Sequence, residues 1–395
     1  VREPHAHGVK RVASEFTDSG ATRSCVVDEH TLLAAARTRE MSRRSTPRSP
    51  RSRVSVENIG DHPLYPCDLD WQNTVMSSEY DRVDVRGVVG FVLIAYIPAW
   101  LLTLPLWLSG KGLSWAWYPP LLIAMMFMPA VATFVTNRWI SPRGRILRET
   151  GVTHPNGVRG WWRYGLLGWI GAPVAMLLAL VVGWAMTVYD AHWFDFAGLP
   201  GQLRFALTDQ APDSAFVGGL LLLLHVFVFG WLNVIPAAGE EWGWRGYLTP
   251  ALLPLGQPAA FLITGVLWGL WHAPLLVLGY NYPTVPVVAA FIMMVVFCVL
   301  VSVLLGWLRL ASRSVWPAVV AHGFLNAAAV LPAVFNAPGE TFSNVSVGLL
   351  GWTGWIVLGL LILLLVALHR LPVQLPREQV ADEGLTSGVS RFHHR

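Results

Sequence analysis

The chain has 395 residues, of which 54% are hydrophobic and only 13% charged, well below the roughly 25% charge of an ordinary soluble domain. Twenty tryptophans, a residue enriched at membrane–water interfaces, and a mean hydropathy of +0.49 point the same way. The net charge of +4 sits in local arginine clusters, which reads as membrane topology and argues against a nucleic-acid partner. The expected fold class is all-α: a polytopic transmembrane helical bundle, with any polar site inside it.

In chain order, residues 1–80 form a polar segment apart from the rest. Its stretch Arg37 to Arg53, "RTREMSRRSTPRSPRSR", is too poor in apolar side chains to fold alone. Two readings stand: a cytoplasmic tail touching anionic lipid, or an over-long start, with Met41 or Met76 as the first residue. Residues 1–80 are expected to hold no signal peptide, since no charged start, apolar middle and small-residue cleavage site are read there. Residues 81–372 carry the apolar runs, with spans expected near 87–108, 115–136, 165–189, 214–236, 257–279, 285–308, 315–335 and 347–368. Each is close to the ~20 residues that cross the hydrocarbon core. Prolines inside them, such as Pro98, Pro129, Pro173 and Pro274, are tolerable in membrane helices whose freed carbonyls find partners nearby. Residues 373–395 form a polar tail.

Arginine placement sets the expected orientation. The loop 137–164 holds Arg138, Arg143, Arg145, Arg148, Arg159 and Arg163, and Arg309, Arg313, Arg370 and Arg377 fall on the same side. The loops opposite hold only Lys111 and Arg204. Positive charge marks the cytoplasmic face, so both termini are expected inside. The three cysteines, Cys25, Cys67 and Cys298, show neither CxxC pairing nor metal-ligand spacing, and Cys298 lies in an apolar run where packing explains it. The histidines of the tails, His5, His7, His393 and His394, are taken as solvated.

Ionisable groups inside apolar spans are costly, and each is a functional candidate. Three sets stand out. In "AGEEWGWR", Glu241 and Arg245 are i and i+4 and can pair on one helix face. Glu240, turned by about 100°, is free to point elsewhere and act as a base. Taken alone, this stretch also fits an ion cluster at a helix end. In "VLWGLWHAP", Trp268 and His272 are again i and i+4; a lone histidine there is more often a packing residue. In "AHGFLNAAA", His322 and Asn326 share one face of an apolar helix and need polar partners or water. Among weaker positions, His225 reads as packed, and Asn233 is close enough along the helix to support Glu240. A carboxylate base, two imidazoles and a carboxamide together suit hydrolysis, with water activated and an oxyanion stabilised.

The three motifs resemble those of the CPBP family, the CAAX-protease and bacteriocin-processing membrane proteins. "EEWGWRG" resembles the EExxxR motif, "WGLWH" an aromatic residue four before a histidine, and "HGFLN" the HxxxN motif, in the family order. The resemblance covers roughly residues 214–335. The family's usual aromatic in the second motif is Phe, and here it is Trp268. The resemblance implies an intramembrane endopeptidase. Glu240 would activate water with help from His272, His322 and Asn326 would form the oxyanion hole, Glu241 and Arg245 would support the site, and Trp268 would line it. It implies a membrane-associated peptide or protein substrate in the lipid bilayer, and a bacterial plasma membrane fits the composition. No cofactor is assigned; the metal-free version is favoured, while a zinc held by Glu240, His272 and His322 stays open. Oligomeric state is not readable. The rival functions are a proton-coupled transporter and a non-catalytic peptide-binding immunity protein. One tension remains in the span assignment: it puts Glu240 near a helix end and His272 about fifteen residues into the next span, at different depths. Either the fifth span starts inside the bilayer, or 236–254 enters it obliquely.

Overall fold

The computed structural model describes residues 11–18, 21–28, 82–142, 146–194, 215–337 and 340–373. The chain divides into two units, Val1–Asp81 and Arg82–Arg395. In the first, β1 (Arg11–Asp18) pairs antiparallel with β2 (Ala21–Asp28), Arg11 standing opposite Asp28 and Asp18 opposite Ala21. The segment 37–53, Cys67, Arg204, the tail histidines and residues 374–395 lie outside the described residues.

The second unit is an all-α bundle. Its principal helices are α1 (Val85–Leu108), α2 (Tyr118–Met126), α3 (Met128–Val135), α4 (Trp162–Ala185), α5 (Ala215–Glu241), α6 (Gln257–Trp271), α7 (Val287–Ser312), α8 (Trp316–Ala328) and α9 (Trp352–Ala367). Prolines mark several starts: Pro119 and Pro120 open α2, Pro129 opens α3, Pro258 opens α6 and Pro317 opens α8. The missing N–H of a first-turn proline costs nothing, because that donor has no helical partner. Asp84 caps α1, its Oδ1 accepting the Gly87 N–H at 3.0 Å.

Among the described residues six helical stretches are long and apolar enough to cross a membrane: Val85–Leu108, Tyr118–Ile140, Trp162–Ala185, Val217–Leu255, Val287–Ser312 and Trp316–Val334. The expected fifth and eighth spans fall on α6 and α9, which are shorter apolar helices. The largest difference from expectation concerns the fourth span. It was expected to end at Pro236, but helix continues through 39 residues to Leu255. Pro236 gives up one backbone bond without ending it. Past Glu241 the chain winds as a wider π-helix over Trp242–Leu248, then Thr249–Leu252, before Gly256 turns it with φ +87°. Only glycine adopts that conformation without strain. Glu240 precedes Gly256 by as many residues as His272 follows it, so the two antiparallel arms bring the first and second motifs level. The depth conflict came from ending the helix too early.

Close helix packing holds the motif segments. Gly239 and Gly243 are i and i+4, and they face the α2–α3 junction. A Cβ on Gly239 would sit 2.7 Å from the Met126 carbonyl oxygen, and one on Gly243 would sit 2.3 Å from Pro129 Cβ. Gly265 and Gly269 play the same part between α6 and α7, where added Cβ atoms would meet Val299 Cα at 2.5 Å and Val295 Cα at 2.8 Å. Small residues four apart let membrane helices approach backbone to backbone, where dispersion and polar contacts replace the missing hydrophobic drive. Helix α8 packs against both α4 and α5, and α6 lies along α7. Cys298 on α7 is buried and free, as a packing residue would be.

Candidate active site

The first motif lies where α5 passes into the π-helical stretch, a local winding often found at functional sites. Glu240, Glu241 and Arg245 are all buried, at 2%, 0% and 0% exposure. Three unpaired charges at that depth would be prohibitive, so their partners decide what the site is. Arg245 Nη1 donates to Glu241 Oε1 at 2.8 Å, the i, i+4 pair anticipated from spacing. The same Oε1 receives His322 Nδ1 at 2.8 Å, from α8. Glu241 therefore joins two helices, bridging a guanidinium and an imidazole.

Glu240 is held differently. Its Oε2 accepts the indole N–H of Trp268 at 2.7 Å, from α6, and that of Trp244 at 3.4 Å, four residues ahead on its own helix. The Arg245 guanidinium lies over the Trp268 ring with its Cζ 4.5 Å from the centroid, close enough for a cation–π contact. His322 meets the Trp268 ring edge-on, centroids 5.3 Å apart. Trp268 thus touches both partners of Glu241 and is itself a partner of Glu240.

His272 ends α6, where its own backbone makes the turn into Ala273–Leu276. Its Nδ1 is 2.8 Å from the Trp268 carbonyl oxygen, which leaves Nε2 as the outward nitrogen. The ring is boxed by Trp271, edge-on at 5.1 Å, and Tyr280, parallel at 6.3 Å with 7° between planes. Burial pushes the Tyr280 phenol well up, so it stays neutral. Helix α1 braces this end of α6: Trp271 Nε1 donates to the Ala95 carbonyl at 3.0 Å, Trp100 Nε1 to the Trp271 carbonyl at 3.0 Å, and the Tyr96 hydroxyl to the Leu267 carbonyl.

Asn326 is half-buried one turn after His322 on α8, and its carbonyl accepts the Ala329 N–H. Among the described residues no side-chain hydrogen bond ties it to the cluster. His225 stacks on Phe229 at 4.5 Å, within its own helix. Asn233 donates to the Phe229 carbonyl at 2.8 Å, so its amide is occupied by α5 and does not reach Glu240. The indole donors to Glu240 and the Tyr280 stack were not expected. Trp244 had a signal in sequence, standing four after Glu240 as Arg245 stands four after Glu241.

A zinc site would need Glu240, His272 and His322 to converge on one point. Among the described residues no group of three or more His, Cys, Asp or Glu side chains is placed to hold a metal ion. Glu240 Oε2, His272 Nδ1 and His322 Nδ1 are each engaged with other protein atoms, so only Glu240 Oε1 and the two Nε2 atoms are left to face a metal. The residues as placed do not make that ligand set.

All three motifs thus meet within the bundle, in the order Glu–Glu–Arg, Trp–His, His–Asn along the chain. Residues 220–328 match the family model for type II CAAX prenyl endopeptidases, Rce1-like. The matched segment runs from within α5 to the end of α8 and contains every motif residue, in agreement with the CPBP resemblance drawn from the motifs. The family is one of membrane proteases. No curated protein matches the chain.

Proposed function

We propose that the chain is an intramembrane endopeptidase of the CAAX-protease type, cleaving a membrane-associated peptide or protein with Glu240 as the base. The observation that carries this is the unequal treatment of two adjacent buried carboxylates. Glu241 is neutralised between Arg245 and His322, whereas Glu240 receives only neutral N–H donors, both on Oε2. Its other oxygen is left for chemistry.

In this reading a water lies between Glu240 Oε1 and His272 Nε2. Its oxygen attacks the scissile carbonyl carbon as its proton passes to Glu240. The carbonyl π pair moves onto oxygen, where His322 Nε2–H and the Asn326 amide stabilise the oxyanion. In this reading His322 carries both ring protons, with Nδ1–H toward Glu241 Oε1 and Nε2–H toward the oxyanion. Collapse reforms the carbonyl, breaks the C–N bond, and Glu240 returns its proton to the leaving amine. Glu240, Glu241, Arg245 and protonated His322 then balance as two negative and two positive charges, which suits a site away from water. The reading uses no metal.

The test is cleavage of an internally quenched farnesylated peptide ending in a CAAX sequence, by the purified full-length protein in lipid nanodiscs. Wild-type protein should cleave it, and Glu240→Gln should lose about 10³-fold or more while melting with the wild type. A fully active Gln variant would overturn the assignment of the base. Activity should survive a chelator; activity lost to chelation and restored by zinc would replace the metal-free route with a metal-assisted one.

A further inference from the structure

We infer that the Trp268 indole N–H is the positioning group for Glu240: it fixes Oε2 and so presents Oε1 to the water. The inference rests on Glu240 being the base, and it concerns the position where this chain departs from its family's usual phenylalanine. A phenyl ring in that place would keep the apolar wall but could donate nothing to a carboxylate.

The geometry separates two roles of the same side chain. As a surface, Trp268 carries the Arg245 guanidinium on its face and the His322 ring against its edge. As a donor, it reaches across from α6 to α5 with a 2.7 Å bond to Glu240 Oε2. Both the Trp268 and Trp244 donors converge on that one oxygen, and among the described residues Oε1 accepts no hydrogen bond. A carboxylate held through one oxygen keeps a fixed plane, so the free oxygen has a fixed direction. A buried carboxylate without such donors would rotate among rotamers, and catalytic groups lose rate when their orientation is not set in advance. The guanidinium over the ring withdraws electron density and strengthens the N–H as a donor. Helix α1 holds the donor in turn, through the bonds from Tyr96, Trp100 and Trp271 around the last turn of α6.

The charged and titratable groups near Glu240 are Glu241 from its own helix, His322 from α8, Tyr280 from the turn beyond α6 and Cys298 from α7, while Arg245 and His272 adjoin the Trp268 ring. Trp268→Phe replaces none of them and keeps an aromatic ring beside Arg245 and His322. It removes one donor that favours the carboxylate over the acid, so the acid limb of the kcat profile should move to higher pH.

The experiment pairs Trp268→Phe with a measurement that needs no substrate. In protein labelled with ¹⁵N-indole tryptophan, the Trp268 N–H signal is assigned by its disappearance in Trp268→Phe. It should stand downfield in wild type and move upfield in Glu240→Gln. On the farnesylated CAAX peptide, Trp268→Phe should lower kcat roughly tenfold, leave KM and melting temperature near wild type, and shift the acid limb upward. A merely structural role would lower the melting temperature and leave the pH profile in place. If wild type cleaves and Trp268→Phe shows a superimposable pH profile, the inference is wrong and the function stands. If wild type does not cleave, the function is wrong, and an indole signal unmoved by Glu240→Gln overturns the bond as well.

Discussion

The two sides of the buried cluster solve one electrostatic problem in opposite ways. On the Glu241 side a carboxylate is locked between two groups able to carry positive charge, each at 2.8 Å. On the Glu240 side an adjacent carboxylate has only indole N–H groups, which orient it without neutralising it. Both are essentially out of contact with solvent. The contrast shows how a helix can place a structural anion and a reactive one at consecutive positions. Their 100° separation aims them at different partners, and the partners come from different helices.

The sharpest way to break this contrast is to exchange the consequences of losing each side. Glu240→Gln should abolish turnover and spare the fold. Arg245→Ala should cost about 3–5 kcal/mol of stability, because it leaves Glu241 buried with one cation fewer. Melting in nanodiscs checks this. The double change Glu241→Leu with Arg245→Met should recover only part of the loss, since the guanidinium is then gone but His322 loses its carboxylate partner. An Arg245→Ala protein that melts with the wild type would show that both carboxylates are held alike.

Asn326 tests whether chemistry extends along α8 beyond the ion bridge. With the oxyanion role proposed for it, Asn326→Ala should lower kcat by roughly 10²–10³ with little change in KM, the scale of one lost oxyanion donor. Steady-state kinetics on the farnesylated peptide decide it; an unaltered kcat would confine the site to Glu240, His272 and His322.

Smaller effects sharpen the picture. Gly239→Ala should cost about 1–3 kcal/mol, because its Cβ has only 2.7 Å to the Met126 carbonyl and backbone cannot step aside cheaply. The loss should appear in melting temperature, with kcat per folded molecule near wild type. Trp244→Phe removes the longer of the two indole contacts, 3.4 Å against 2.7 Å. It should lower kcat only about two- to threefold, less than Trp268→Phe. The reverse ranking would make Trp244 the principal holder of Glu240.

The bundle, its helices and the Glu241–Arg245 pair were legible in sequence because they follow from local spacing: long apolar runs, and charges four apart. What spacing could not reveal was continuity and tertiary choice. Pro236 looks like a stop, yet the helix passes it, as membrane helices tolerate, and the turn waits for Gly256. The π-helical winding after Glu241 leaves no residue signature of its own. The partner of His322 was also hidden: a histidine and a carboxamide on one face suggested a common target, whereas the fold turns Nδ1 toward Glu241 and leaves Asn326 half-buried without a side-chain bond among the described residues. An aromatic ring at Trp268 signals a wall in sequence, and its N–H gains a role only from the carboxylate that the fold sets opposite it.

The seam at Gly239 and Gly243 has a consequence for how such sites can be copied or searched for. These glycines bracket Glu240 and Glu241, and they set how near the α2–α3 junction can come to the helix that carries both acids. A search pattern written only in acids, arginine, histidines and asparagine would accept chains whose helices stand too far apart to close around the carboxylates. Grafting the same letters into another bundle would fail for that reason. The portable unit is Gly-Glu-Glu-x-Gly-x-Arg, in which two residues without side chains specify the distance at which the others can act.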